Sequence, residues 1–247
     1  MTKSETTAIV PHHWTTLAAG IFDVDGVLLD SPHEQAWRDS LQGITDPDRF
    51  TSAFYQAYVA GKPRLSGART ALMQLGVADA AQRAVDYANR KQKRLEQLIK
   101  EGTVVPFPDA LRFVEAVLAL GWAIAAASSS KNANQMMQLI RLNEKQSLFD
   151  AFRANVCGRD LKEGKPNPEI FLLAAAELRV PPAQCFVVED APAGIEAARA
   201  GGMFALGVAR LGDAEQLRTA GADLVVTNLD EINLDELAHG RLARWPT

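Results

Sequence analysis

Residues 17–26 read Leu17-Ala18-Ala19-Gly20-Ile21-Phe22-Asp23-Val24-Asp25-Gly26. An apolar run of strand length ends on two carboxylates one residue apart, and a glycine turn follows. Carboxylates this close repel each other unless a cation or a shared proton relieves them. A helix cap or a turn accounts for one such aspartate but not for both. A Mg²⁺ ion relieves the repulsion and also holds a phosphate beside one of them.

Working outward, the chain after Trp122 alternates short apolar runs with segments of helical spacing. The runs are Trp122–Ala127, Phe152–Cys157, Cys185–Val188, Phe204–Val208 and Asp223–Val226. Asn134–Leu142, Pro168–Leu178, Gly194–Ala200 and Ala214–Ala220 are the helical segments between and beyond them. Such alternation predicts an α/β fold with a parallel sheet covered on both faces, and Leu17–Val24 belongs to that sheet. Residues 31–105 contain no convincing strand. They predict helices over His33–Leu41, Pro47–Ala60, Gly67–Leu75 and Asp79–Lys100, the last with Ala84, Ala88, Leu95, Leu98 and Ile99 on one face. Pro106 and Pro108 mark the return to the sheet. The organisation expected is a flexible tail over 1–16, a core over 17–30 and 106–247, and an inserted helical domain over 31–105.

The bulk numbers set limits on function. With 247 residues, 47% hydrophobic and 23% charged, the chain is long enough to bury a sizeable core. A formal net charge of −4 argues against a nucleic-acid partner. No apolar stretch reaches the ~18 residues of a membrane span, and the polar Met1–His13 lacks the apolar centre of a signal peptide. Cys157 and Cys185 both lie in apolar runs, which reads as buried free thiols in a reducing cytoplasm.

Open α/β sheets bind ligands at the carboxyl ends of their strands, and polar groups suited to phosphate chemistry stand at four such places. Asp23 and Asp25 are the first. A carboxylate can attack phosphorus and carry the group, and a second one nearby can move the proton. Ser128 follows Trp122–Ala127 and can hold a phosphoryl oxygen, although serines before helices also serve as caps. Lys165, in Gly164-Lys165-Pro166-Asn167-Pro168, is presented from a loop stiffened by two prolines and can offset phosphate charge. Glu189-Asp190 directly follows an apolar strand, where oxygen ligands for Mg²⁺ are the natural role.

On these four motifs the chain resembles the haloacid dehalogenase (HAD) superfamily over about Ile21 to Val208. The resemblance implies a Rossmann-like core, a cap inserted after the first strand, and an aspartyl-phosphate intermediate formed with Mg²⁺. It implies that Asp23 is the nucleophile and Asp25 the general acid/base. Asp23, the backbone carbonyl of Asp25, and Asp190 would bind the metal, with Glu189 acting directly or through water. Ser128 and Lys165 would hold the phosphoryl group. Hydrolytic dehalogenases of this fold lack the second aspartate, so Asp25 points to phosphoryl transfer.

The inserted segment resembles the β-phosphoglucomutase-like subgroup. His33 and Trp37 stand four apart on one side of a helix, Gly61-Lys62-Pro63-Arg64 resembles a substrate loop, and Arg90-Lys91 supplies Lys91. In the core, Ser130-Lys131-Asn132 matches residues that hold a second phosphate. Arg64 with Lys131 suits a substrate carrying an anion away from the reacting centre. Gln42–Tyr58 shows little likeness. The implied activity is Mg²⁺-dependent phosphoryl transfer on small sugar phosphates, as in a mutase. A phosphomonoesterase using the same intermediate, and a non-catalytic binding protein on the same fold, remain alternatives. A monomer or small homo-oligomer is expected.

Overall fold

A computed structural model describes residues 16–246 of the chain. The tail expected over 1–16 therefore lies outside the described residues apart from Thr16. Strand β1 (Ala19–Phe22) is buried at every position, as a strand with parallel neighbours on both sides and helices on both faces must be. A two-residue strand, β2 (Leu29–Asp30), follows. Four helices come next: α1 (His33–Asp39), α2 (Ser52–Tyr58), α3 (Arg64–Gln74) and α4 (Ala80–Lys100). The chain then returns through β3 (Val105–Pro106), which pairs antiparallel with β2 and forms a short ribbon at the neck of the insertion.

The remainder alternates helix and strand. It runs α5 (Pro108–Ala119), β4 (Ala123–Ala126), α6 (Ala133–Leu139), β5 (Ala154–Asn155), α7 (Glu169–Leu178), β6 (Cys185–Glu189), α8 (Pro192–Ala200), β7 (Phe204–Val208), α9 (Ala214–Thr219), β8 (Leu224–Val226) and α10 (Leu234–Ala238). Six strands form one parallel sheet in the order β5-β4-β1-β6-β7-β8, with Ile21 aligned to Ala125 and Val187. The chain moves outward from β1 through β4 to β5, then crosses to β6 on the other side. A reversal of direction therefore falls at β1, and a crevice opens at its carboxyl end.

Alternate side chains sort to the two faces. Phe22, Ile124, Phe186 and Leu206 join Phe113 of α5 and Met136 of α6. Ile21, Ala125, Val187 and Ala205 join Phe171 of α7, Ile195 of α8 and Leu217 of α9. The Phe22 ring lies 6.0 Å from those of Phe113 and Phe152 and 5.9 Å from that of Phe186. Such contacts contribute roughly 0.5–1.5 kcal/mol each beyond area burial, and they fix the strand end that carries Asp23. The inserted helices have an apolar cluster of their own, including Trp37, Phe50, Leu72 and Tyr87. Helix α4 joins both: Ala84 and Ala88 pack in that cluster, while Leu95, Leu98 and Ile99 pack under the sheet.

Three local expectations need correction. Pro47–Ala60 is not one helix. It divides into a three-residue turn over Pro47–Arg49 and α2, because Thr51 is extended and its hydroxyl accepts from the N–H of Phe54 at 3.1 Å, starting a new helix. Phe152–Cys157 yields only two strand residues. The Asn155 side-chain oxygen accepts from the Cys157 N–H at 3.0 Å and turns the chain away. Val105 is a strand residue inside the segment read as strand-free. Both cysteines are free, Cys185 buried and Cys157 half-buried, and burial pushes their thiols up to about 11 and about 12. Among the described residues, no helix is long and apolar enough to cross a membrane.

Candidate active site

Neighbouring strands β4, β1 and β6 end at the same edge of the sheet, so the residues that follow them converge. Asp23 and Asp25 follow β1, Ser128 follows β4, and Glu189 ends β6 with Asp190 next. Asp23, Asp25, Ser128 and Asp190 line a cleft of about 310 Å³. From the inserted helices His33, Trp37, Arg64 and Lys91 line it as well, and from the core Ser130, Lys131 and Asn132. Lys165 and Glu189 are buried beside it, 3% and 0% exposed. The inserted segment is closed down on the core. Ser129 Oγ donates to the Gly61 carbonyl at 3.2 Å, and a Cβ on Gly164 would lie 2.1 Å from Pro63 Cγ.

Lys165 ties the buried acids together. Its Nζ donates to Asp23 Oδ1 at 2.5 Å and also to Glu189 Oε1. Burial alone would lower the lysine's pKa, but Asp23 and Glu189 reverse this and hold it above its ordinary value. The other Glu189 oxygen accepts from the N–H groups of Asp190 and Ala191 at 3.2 and 3.3 Å. Burial pushes the Glu189 carboxyl up to about 7 against the pull of Lys165. Asp190 is held well above the usual carboxylate range, first by burial and then by the Glu189 and Asp23 charges. Two glycines make room for these acids. A Cβ on Gly26, whose φ is +83°, would lie 2.0 Å from Asp190 Oδ2, and one on Gly194 would lie 2.0 Å from Glu189 Cδ.

This donor set fits a small hard cation. Asp23, Glu189 and Asp190 each offer a carboxylate oxygen, and the three atoms lie within 4.8 Å of one another. Lys165 alone does not neutralise them. Asp23, Asp25, Glu189 and Asp190 all have raised pKa values, with burial the leading cause for each. Burial thus penalises the charged form of each acid, and a cation seated among their oxygens would offset that penalty.

Asp25 faces a different set of partners. Ser31 Oγ donates to its Oδ1 at 2.6 Å, Ser128 Oγ donates to its Oδ2 at 3.3 Å, and His33 Nε2 is 3.6 Å from Oδ1. Burial, and next the Lys91 charge, hold His33 well below its ordinary pKa, so the ring is neutral at pH 7. Lys91 Nζ stands 3.1 Å from His33 Nδ1 and 5.0 Å above the Trp37 ring. The ring nitrogen facing the ammonium accepts, which leaves the ring proton on Nε2, toward Asp25 and Ser130. Burial brings Lys91 down to about 7, against the pull of Asp25.

Arg64 projects from the start of α3. Its Nη1 donates to Gln92 Oε1 at 2.5 Å, and Gln92 Nε2 donates to Asn132 Oδ1 at 3.1 Å. Ser130 Oγ accepts from the Asn132 N–H at 3.3 Å. Lys131 is held by exposed Asp160 at 2.7 Å, so its charge is already partly engaged. Trp37 serves two purposes: it is 3% exposed within the helical cluster, with its ring 5.1 Å from that of Tyr87, and it also forms part of the cleft wall.

Sequence reading missed four residues here. Ser31 and Gln92 adjoin motifs that were singled out and were within reach of that reading. Tyr55 and Gln56 come from α2, where nothing in the motif pattern pointed. Gln56 Nε2 donates to Asp190 Oδ2 at 3.4 Å, and Tyr55 lines the cleft beside the acids.

The chain is similar to known proteins over most of its length. The family model for a haloacid dehalogenase-like hydrolase matches residues 18–202. The chain is 34% identical to a β-phosphoglucomutase of Mycobacterium bovis over 244 residues, covering 87% of this chain and 90% of that protein. It is 30% identical to a phosphorylated carbohydrates phosphatase of Thermotoga maritima, covering 88% and 98%. The crystal structure of a β-phosphoglucomutase from Clostridium difficile superposes with a TM-score of 0.74 at 28% identity, covering 90% and 95%.

Proposed function

The chain belongs to the haloacid dehalogenase-like hydrolase family, and from that premise we propose that it is a Mg²⁺-dependent phosphotransferase that interconverts small sugar phosphates through a phosphorylated Asp23. Residues 31–105 act as a cap over a core made of 17–30 and 106–247. The observation that carries the reading is that Asp23 and Asp25 share one cleft with basic and polar groups from both cap and core, among them Arg64, Lys91, Ser128 and Lys131.

Each side chain then has a task. Asp23 Oδ1 is held by Lys165, which leaves Oδ2 to attack phosphorus. Asp25 protonates the leaving oxygen, and once deprotonated it takes the proton of the next acceptor hydroxyl. Its raised pKa favours the protonated form that this first task needs. Ser128 and Lys165 hold phosphoryl oxygens as charge builds on them. Asp23 and Asp190, with the Asp25 carbonyl, would hold Mg²⁺, and Glu189 would orient that set through Lys165 and the Asp190 N–H. Bound there, the ion would screen the acids from the incoming phosphate.

His33, 3.6 Å from Asp25, and Lys91, 3.1 Å from His33, are the polar groups offered to a sugar ring. Arg64, Ser130, Lys131 and Asn132 are the groups offered to a second phosphate. Binding by Lys131 requires it to leave Asp160, and both side chains are exposed enough to do so.

The direct test supplies β-glucose-1-phosphate, Mg²⁺ and a trace of the 1,6-bisphosphate. Formation of the 6-phosphate with little free phosphate is the expected result. Phosphate release from many esters would instead assign the chain to phosphomonoesterases, and silence on a broad panel would contradict both. Arg64→Ala is expected to raise the KM for a bisphosphate by roughly 10- to 100-fold, as loss of a charge-assisted pair does. Turnover of a simple aryl phosphate should change less than threefold. Equal losses on the two substrates would remove Arg64 from a second-anion role.

A further inference from the structure

Helix α2 reaches the acidic centre from the cap. Gln56 Nε2 donates to Asp190 Oδ2 at 3.4 Å, although 134 residues separate them in sequence. Gln56 Oε1 is buried and has no hydrogen-bond partner among the described residues. Beside it lies a second cavity of about 120 Å³, lined by Asp25, Gly26, Asp30, Glu34, Gln56, Asp190 and Asp213 among others. Arg210, the one basic residue lining it among the described residues, is engaged with Asp109 and the carbonyls of Gly26 and Val27. A buried amide oxygen without a donor costs free energy unless something meets it, and a cavity of that size holds a few waters.

We infer that Gln56 is a positioning residue for the cation, contributed by the cap: its N–H orients the Asp190 carboxylate, and its Oε1 accepts from water bound to the ion. This rests on the reading of Asp23 and Asp190 as cation ligands. The amide suits both tasks because it donates on one side and accepts on the other. Carboxylates that ligate metals are commonly held by such outer partners, and losing one weakens metal affinity by about 10- to 100-fold. Because α2 belongs to the cap, the contact links cation binding to cap position. Whatever closes the cap tightens the ion, and the ion in turn favours closure.

The test uses the full chain with Mn²⁺ as probe, followed by its EPR signal. Gln56→Leu should weaken Mn²⁺ about 10- to 100-fold while leaving the metal-free thermal melt at its wild-type value. If the leucine variant melts early, Gln56→Met, unbranched and of similar length, takes its place. Binding by Gln56→Leu within twofold of wild type would overturn the inference and leave the cation site standing. Absence of Mn²⁺ binding by the wild type would overturn both.

Discussion

Asp23→Asn is expected to lower turnover by roughly four orders of magnitude or more, because an amide oxygen is a poor nucleophile and no covalent intermediate can form. The effect should be chemical and not structural. Asp23 is 6% exposed, its backbone N–H bonds the Val188 carbonyl at 3.0 Å, and an asparagine oxygen can still accept from Lys165. The fold around it is set by the Phe22 ring cluster, which the substitution leaves alone. A circular dichroism melt close to wild type, together with the loss of rate, is the expected pair of results. Residual activity above about one per cent, a loss smaller than removing even a general acid causes, would reject Asp23 as nucleophile.

Lys165→Met is expected to cost both stability and rate. Its ammonium bridges two buried carboxylates, with the three side chains 1%, 8% and 1% exposed for Lys165, Asp23 and Glu189. Removing one partner of a buried ionic cluster costs about 3–5 kcal/mol, because it leaves uncompensated charge. For a chain of this size that corresponds to a fall in Tm of roughly 10 °C. The sign with pH follows from the same cause. Without the lysine, the Asp23 and Glu189 carboxyls rise further above their unfolded pKa values. With the lysine present Glu189 already stands at about 7, so the deficit is small below pH 7 and grows as pH rises through and above that value. Scanning calorimetry of both proteins at pH 6 and pH 9 checks this. A deficit that grows on acidification would contradict the bridging role. Turnover should fall by at least two orders of magnitude, since the same ammonium holds one oxygen of the Asp23 carboxylate that we propose attacks phosphorus.

Much of this arrangement was legible in the sequence, for a definite reason. Each apolar run that becomes a central strand stops at a polar residue, so Asp23, Ser128 and Glu189 could be placed at one sheet edge without knowing how the strands pair. The split of α4 between two cores was hidden, because Ala84 and Leu98 share one apolar stripe whichever body they pack against. The break at Thr51 was hidden too, since helical spacing runs through it and only the cap hydrogen bond decides. Gln56 could not be found at all. Its partner Asp190 is distant in sequence, and a lone glutamine on a short helix carries no spacing signal. Lys131 was visible as a charge, but not its neutralisation by Asp160.

The central claim is that the Asp23 side chain takes and passes on a phosphoryl group. The most direct measurement is to quench the enzyme in acid during turnover of a phosphate donor, reduce it with borohydride and map the peptides by mass spectrometry. Reduction of an acyl phosphate turns aspartate into homoserine. Homoserine at residue 23, and its disappearance when donor is omitted, is the expected result. An unmodified residue 23 under conditions of steady turnover, or homoserine at another aspartate, would contradict the claim.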